Sequence, residues 1–315
     1  MIAQSVTNQK DLAMETVLIE DESLRDGLQF EREVLTLENK LLIFNQLRKS
    51  GVKRIQVGSF VNPKVVPQMA DTESLVQEVV GLENVLVTGL VLNDKGLVRA
   101  MDCGLKHISL SLSASDTHSR KNVRKPYEEA LLLVSELIKT ATAAGISVRA
   151  GVQCAFGCVF EGAIPEKKVL DTLACLAETG AIEFNLADTT GMADPRSIKR
   201  LVTQALSMLP KDSLSLHLHD TRGVAIANMV SGYEAGVHIF DTSAGGLGGC
   251  PVVKGAAGNI ATEDAVNVFE SMGVSTGIDL EKICEVGRLY ESLLARKLPV
   301  RMGRVLQSLQ ECTNP

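Results

Sequence analysis

His217 and His219 stand two residues apart in the alternating run Leu216-His217-Leu218-His219-Asp220. Side chains at i and i+2 of a β-strand project to one face, so both imidazoles can reach one point, as a metal ion requires. The chain holds only five His, and two of them in this register favour metal binding over a pair of strand histidines that merely find hydrogen-bond partners.

Asp26, in Leu24-Arg25-Asp26-Gly27, would add one carboxylate to the two imidazoles. Mixed nitrogen and oxygen ligation with open positions suits Mg²⁺ or Mn²⁺ and needs no thiolate. Taken alone, Asp26 reads first as a turn residue paired with Arg25 across a surface loop. Arg25 offers a rigid fork of donors that could stabilise an oxyanion on a substrate carbonyl, and a structural salt bridge is its other reading. Asp188, before Thr189-Thr190-Gly191, either orients a ligand histidine from behind or forms the turn.

The run Gly245-Gly246-Leu247-Gly248-Gly249-Cys250-Pro251, followed by Gly255-Ala256-Ala257-Gly258-Asn259, points to unusual backbone angles and a moving loop. Cys250 in that loop is placed to swing over a site and protonate a carbanion while closure excludes water. An unreactive thiol and a phosphate cradle are its alternatives. Asn259 can lend a carbonyl oxygen to the metal. Cys154 and Cys158 have metal-like spacing but no second pair, and read as barrel-wall or loop residues. Cys103, Cys175 and Cys284 lie on apolar helical faces and read as core, and Cys312 as a free terminal thiol.

Elements that could bring these residues together are legible as an alternation. Strand-like runs cover Thr16–Glu20, Arg54–Val57, Val85–Leu90, His107–Leu112, Ser147–Cys154, Ile182–Leu186, Ser213–Leu218 and His238–Thr242. Between and after them lie helical patterns at Leu37–Ser50, Thr72–Val80, Lys95–Cys103, Pro126–Ala144, Glu166–Thr179, Pro195–Leu209, Ala225–Ala235 and Thr262–Met272. Gly51, Gly104, Gly145, Gly180, Gly236 and Gly273 each follow a helix as its stop residue. Eight such repeats predict a (β/α)8 TIM barrel over residues 16–276, with a polar extension at 1–15 and a helical extension at 277–315. A doubly wound sheet is disfavoured because no G-x-G-x-x-G follows the first strand. Chemistry in such barrels sits at the carboxyl ends of the strands, where Arg25, Asp26, Gln56, Ser59, Asn93, Asp94, Asp188, His217, His219 and Asp241 would converge.

Composition narrows the partners. A net charge of −6 without a Lys/Arg stripe disfavours nucleic acid, and the apolar runs are too short to span a membrane. Residues 1–13 lack the pattern of a signal peptide, and seven Cys without a dense framework fit a reducing, cytoplasmic setting. A homodimer or higher homo-oligomer is expected.

Taken together, these residues resemble the 3-hydroxy-3-methylglutaryl-CoA lyases, within the metal-dependent barrel lyases and Claisen-condensing synthases. The resemblance runs from about Leu18 to Ala295. It rests on Arg25-Asp26-Gly27-Leu28-Gln29, on Ser59-Phe60-Val61-Asn62-Pro63-Lys64, and on Val66-Pro67-Gln68-Met69. It continues through Gly157-Cys158, Glu161-Gly162, His217-Leu218-His219-Asp220-Thr221, the loop Ala244–Pro251 and Gly258–Asp264. The resemblance implies Asp26, His217, His219 and Asn259 at the metal, Arg25 on the thioester oxygen, Asp188 in the active site and Cys250 as catalytic acid. It also places Arg32 near the CoA moiety. The implied reaction is retro-Claisen cleavage of a 3-hydroxyacyl-CoA to acetyl-CoA and a ketone or keto acid, with Asp26 or His217 as base.

This chain departs from the lyases at two positions that border the substrate. Gln56 stands where they usually read Glu, and Arg222 where they usually read Tyr. Both changes are expected to make the mouth more positive and to favour a bulkier or more acidic substrate; the alternative, equally open, has Arg222 pointing outward into solvent and Gln56 replacing one hydrogen bond with another. The rival readings are a condensing synthase of the isopropylmalate type, a metal-dependent hydrolase and a non-catalytic binding barrel. The synthases usually carry a long C-terminal domain, which residues after Gly277 are too few to form.

Overall fold

The computed structural model describes residues 15–249 and 257–313. Except for Glu15, the expected N-terminal extension lies outside them, as do Cys250 and the side chain of Cys312.

Eight parallel strands close into a barrel in chain order, making the fold a TIM barrel. They are β1 (Leu18–Asp21), β2 (Arg54–Ser59), β3 (Leu86–Val91), β4 (His107–Ser113), β5 (Ser147–Gln153), β6 (Glu183–Asp188), β7 (Leu214–Leu218) and β8 (Ile239–Thr242). The β1–β8 register, from Leu18↔Ile239 to Asp21↔Thr242, seals the ring. The helices are α1 (Leu37–Lys49), α2 (Thr72–Val79), α3 (Asp94–Asp102), α4 (Asp116–Val123), α5 (Tyr127–Ala143), α6 (Glu166–Glu178), α7 (Pro195–Leu206), α8 (Ala225–Glu234) and α9 (Thr262–Ser271). Two further helices follow the eighth repeat, α10 (Leu280–Leu294) and α11 (Met302–Thr313). Among the described residues, no helix is long and apolar enough to cross a membrane.

Local chemistry accounts for these boundaries. Helix α7 starts with Pro195 at its first turn and a reciprocal cap between Asp194 and Ser197, and it buries the stripe Ile198, Leu201, Val202 and Ala205. The six glycines expected to stop helices all adopt the left-handed region, with φ from 76° to 106°. The sequence pattern misses α4, which is too polar to show an apolar stripe and is opened by Ser115 accepting the His118 amide at 3.1 Å. It also begins and ends the first strand early: β1 runs on to Asp21, while Thr16 makes only an isolated bridge with Ser275. Cys103 and Cys284 are buried as expected; Cys175 on α6 is half-buried, because its position borders the apolar stripe.

After β1 the chain makes one turn of π-helix, Ser23–Gly27, which carries Arg25 and Asp26 inward. Asp21 anchors this turn. One carboxylate oxygen accepts from the Ser23 backbone and hydroxyl, and the other from Ala244 N at 2.9 Å and Thr262 Oγ1 at 2.7 Å. Tyr290 of α10 donates to Ser23 Oγ at 2.9 Å from a fully buried position, tying the C-terminal extension to the same turn. Loss of one such bond with its acceptor left buried costs about 1–2 kcal/mol. Tyr290→Phe should therefore lower the unfolding free energy by about that amount in urea titration. An unchanged midpoint would show that the extension is not anchored through this hydroxyl.

Candidate active site

Strand alternation decides which side chains enter the barrel. On β7, Ser215 and His217 face inward between outward leucines, and His219 continues that face past the strand end. The inner face of β1 carries Glu20, with Glu22 just past the strand end, that of β5 carries Arg149, Gly151 and Gln153, and that of β8 carries Asp241. Of these, Glu22, Arg149, Gly151, Gln153, His217, His219 and Asp241 line a cavity of about 910 Å³ that opens at the carboxyl ends of the strands.

At its base, Asp26, His217 and His219 each present a ligand atom within 4.8 Å of the others. The two Nε2 atoms lie 3.0 Å apart, and His219 Nε2 lies 3.8 Å from Asp26 Oδ2. Asn259 joins from the loop after β8, donating its Nδ2 to Asp26 Oδ2 at 2.8 Å and to Leu247 O at 3.0 Å. An isolated bridge between His219 and Asn259 holds that loop against the end of β7. A Cβ at Gly248 would sit 2.5 Å from Asn259 Nδ2 and 2.9 Å from Asp26 Oδ2, so the loop can approach this closely only as glycine.

A divalent ion fits this donor set. Asn259 Oδ1 is buried with no partner, as a ligand oxygen awaiting a cation would be. The 3.0 Å between imidazole nitrogens is the edge of an octahedron with bonds of about 2.1 Å. Two imidazoles, a carboxylate and an amide oxygen are hard or borderline donors, in keeping with Mg²⁺ or Mn²⁺.

Electrostatics divides the two rings. Burial opposes a charge on His217, but Glu22 Oε2 at 3.3 Å and Asp241 Oδ2 at 3.4 Å from its Nδ1 outweigh it and push the ring up to about 10. Burial, then the positive His217, brings His219 down to about 4. One shared proton can therefore lie between the Nε2 atoms, and a cation taking its place would release it. Asp26 is held below the usual carboxylate range: burial raises it, but Arg25 and the two imidazoles prevail.

Arg25 is buried on the cavity wall and donates to Glu22, Asp26 and Gln56, one bond from each guanidinium nitrogen. Its salt-bridge reading and its place beside the ligand cluster are therefore compatible. Asp188 falls on the outward face of β6 with Phe184 and Leu186, whereas Asn185, Ala187 and Thr189 line the cavity. Its oxygens accept the amides of Met192 at 2.7 Å and Ala193 at 3.0 Å, and burial raises it to about 6. The turn reading is the one this geometry carries; the carboxylates behind His217 are Glu22 and Asp241.

Arg222 is exposed, donates to the carbonyls of Thr190 and Gly191, and does not line the cavity. Arg32 is also exposed and off the wall. Gln56 does line it and accepts from Arg25, which also has a carboxylate partner in Glu22; of the two departures, Gln56 lies on the cavity wall and Arg222 does not. Cys250 lies outside the described residues; Gly249, just before it, lines the cavity. Glu22 and Arg149 are absent from the set the sequence points to. The signal for Arg149 is a charge at an inward position of an otherwise apolar strand, and for Glu22 its i+2 spacing from Glu20 at the end of the first strand.

The glycine-rich loop rests on Glu263, whose two oxygens accept from Gly245 N at 3.1 and 3.0 Å. Complete burial, with Asp264 and Asp21 nearby, raises this carboxyl from its ordinary 4.5 to about 8. Between those values the folded protein keeps a proton that the unfolded chain releases, so the stability it contributes falls as pH rises through that window. Glu263→Gln should flatten the decline in unfolding free energy between about pH 5 and 8. Parallel profiles for parent and variant would show the carboxyl to be ionised in the fold.

The family model described as HMGL-like matches residues 16–289. Hydroxymethylglutaryl-CoA lyase of Bacillus subtilis is 37% identical over 292 residues, spanning 93% of this chain and 98% of that protein. The (R)-citramalyl-CoA lyase of Chloroflexus aurantiacus is 36% identical over 301 residues, 92% of this chain and 95% of its own. Among solved structures, an HMG-CoA lyase from Acinetobacter baumannii in complex with coenzyme A and 3-methylmalate superposes with a TM-score of 0.88 at 36% identity, covering 92% and 94% of the two chains. With its barrel closed around a converged cluster of Asp26, His217, His219 and Asn259, this chain belongs to the HMGL-like family.

Proposed function

We propose that this protein is a divalent-metal-dependent carbon–carbon lyase that cleaves a 3-hydroxy-3-methylglutaryl-CoA-like thioester to acetyl-CoA and a ketone or keto acid. The observation that carries this reading is the convergence of Asp26, His217, His219 and Asn259 beside Arg25 at the base of a cavity of about 910 Å³. Its relatives of matching length include lyases named for hydroxymethylglutaryl-CoA and for (R)-citramalyl-CoA.

Asp26, His217, His219 and Asn259 would hold Mg²⁺ or Mn²⁺. A cation held there would supply Lewis-acid polarisation of the substrate's 3-hydroxyl. Of the two expected bases, Asp26 takes the hydroxyl proton, because His217, protonated at Nδ1 and ligating through Nε2, has no nitrogen left to accept it. The C2–C3 bond breaks as the C3–O bond becomes a carbonyl, and its electron pair passes to C2 as the acetyl-CoA enolate. Arg25 stabilises the enolate oxygen with its fixed donors. Cys250 gives its thiol proton to C2 while the loop excludes water, which would otherwise quench the enolate. No electron is gained or lost overall.

Activity should vanish on chelation and return with Mg²⁺ or Mn²⁺, and metal uptake should release a proton, readable by calorimetry in buffers of different ionisation enthalpy. Full activity after exhaustive chelation would overturn the metal assignment. Cys250→Ser should keep the metal but lose about 10²–10⁴-fold in kcat, because a hydroxyl is a much weaker acid than a thiol. Turnover at the parent rate would remove Cys250 from the mechanism. Following acetyl-CoA release from a panel that includes the methylglutaryl and (R)-citramalyl thioesters would assign the substrate, and no release from any would defeat the lyase reading.

A further inference from the structure

Glu22 has no part in the mechanism above, yet it is buried on the cavity wall between the two groups that mechanism needs most. Its Oε2 accepts from Arg25 and lies 3.3 Å from Nδ1 of His217, while its Oε1 accepts from Arg149 at 3.1 Å. One carboxylate thus reaches from the guanidinium to the back of an imidazole. Other residues are less able to do this. Gln56 offers Arg25 only an amide oxygen, and its Nε2 is turned toward Glu20 Oε1 at 3.3 Å and Ser109 Oγ at 3.2 Å. Asp26 would share its charge with a bound cation. Asp241, the other carboxylate behind His217, already takes Arg149 at 2.8 Å and Asn185 at 3.0 Å.

We propose that Glu22 is a positioning residue of this site, the carboxylate that holds Arg25 and His217 in fixed relation to each other. The proposal rests on the lyase reading and deepens it. A charged acceptor on one arm of Arg25 aims its remaining N–H groups at a substrate oxygen more firmly than a neutral amide can. The same carboxylate keeps Nδ1 of His217 protonated, which leaves Nε2 as the ligand atom and orients the ring.

The test uses Glu22→Gln, close to the parent in shape, and the double variant Glu22→Gln, Gln56→Glu, which moves the carboxylate across Arg25 at constant total charge. Mn²⁺ binding by calorimetry is measured with kcat and KM on the thioester the parent cleaves. Glu22→Gln should bind Mn²⁺ about 10-fold more weakly and lose about 10–100-fold in kcat, with a much smaller change in KM. The double variant should recover most of kcat but not Mn²⁺ affinity, because a carboxylate at position 56 reaches Arg25 and not His217. Parental kcat and Mn²⁺ affinity in Glu22→Gln, or a folded double variant no better than the single one, would overturn the proposal. If the single variant does not fold, the double variant decides alone by the same kcat comparison with the parent. A parent that binds Mn²⁺ but cleaves no thioester would defeat the lyase reading, and the Mn²⁺ arm would still judge Glu22.

Discussion

Charge inside a closed barrel must be paired, because an isolated buried carboxylate costs several kcal/mol of desolvation. Arg149 meets that requirement at the centre of this protein. Its guanidinium reaches Asp241 at 2.8 Å, Glu20 at 3.0 Å and Glu22 at 3.1 Å, while its Nε donates to Ser109 at 3.3 Å. Side chains from β1, β4, β5 and β8 therefore meet on one cation. Below it, Arg54 repeats the arrangement with Glu20 at 2.9 Å and Glu183 at 2.7 Å. These guanidiniums hold Glu20 below the usual carboxylate range even though burial pushes the other way.

The site above inherits its polarity from this layer. Glu22 and Asp241 are tolerated behind His217 because Arg149 balances them, and their charge in turn sets the ring against its neighbour His219. The result is an imidazole pair with opposite proton affinities facing one carboxylate, an arrangement in which a cation can exchange with a proton. The functional cluster is thus an upper layer of the barrel's own packing.

Support from outside the eight repeats is equally specific. Asp21 gathers donors from the π-turn, the loop after β8 and the start of α9. Tyr290 of α10 reaches Ser23, and Asp264 accepts the backbone amides of Arg301 and Met302 at the start of α11. Arg301 also lies 3.5 Å from Asp220, beside the segment that carries Asn259. The C-terminal helices thereby buttress the two loops that bring Asp26 and Asn259 to the histidines of β7. Such fixing matters because a ligand set displaced by about 1 Å loses much of its advantage.

Periodicity and punctuation in the sequence determined the barrel by themselves. Alternating strands, amphipathic helices and terminal glycines are local signals, and each carries its own geometry. The i, i+2 spacing of His217 and His219 is local in the same way, so one strand suffices to put both rings on one side. What the chain alone left open were residues whose meaning depends on an opposite strand. Asp188 and Asp241 both lie near the carboxyl ends of strands, yet register turns the first toward the amides of Met192 and Ala193 and the second toward Arg149. Arg222 and Arg32 are charges near the right motifs, but their side chains stay on the outside, where water solvates them at no cost. Glu22 and Arg149, 127 positions apart in the chain, acquire a role only when barrel closure places them 3.1 Å from each other. Tertiary structure decided that pairing, because desolvation makes a buried charge depend on whichever partner the closed ring brings to it.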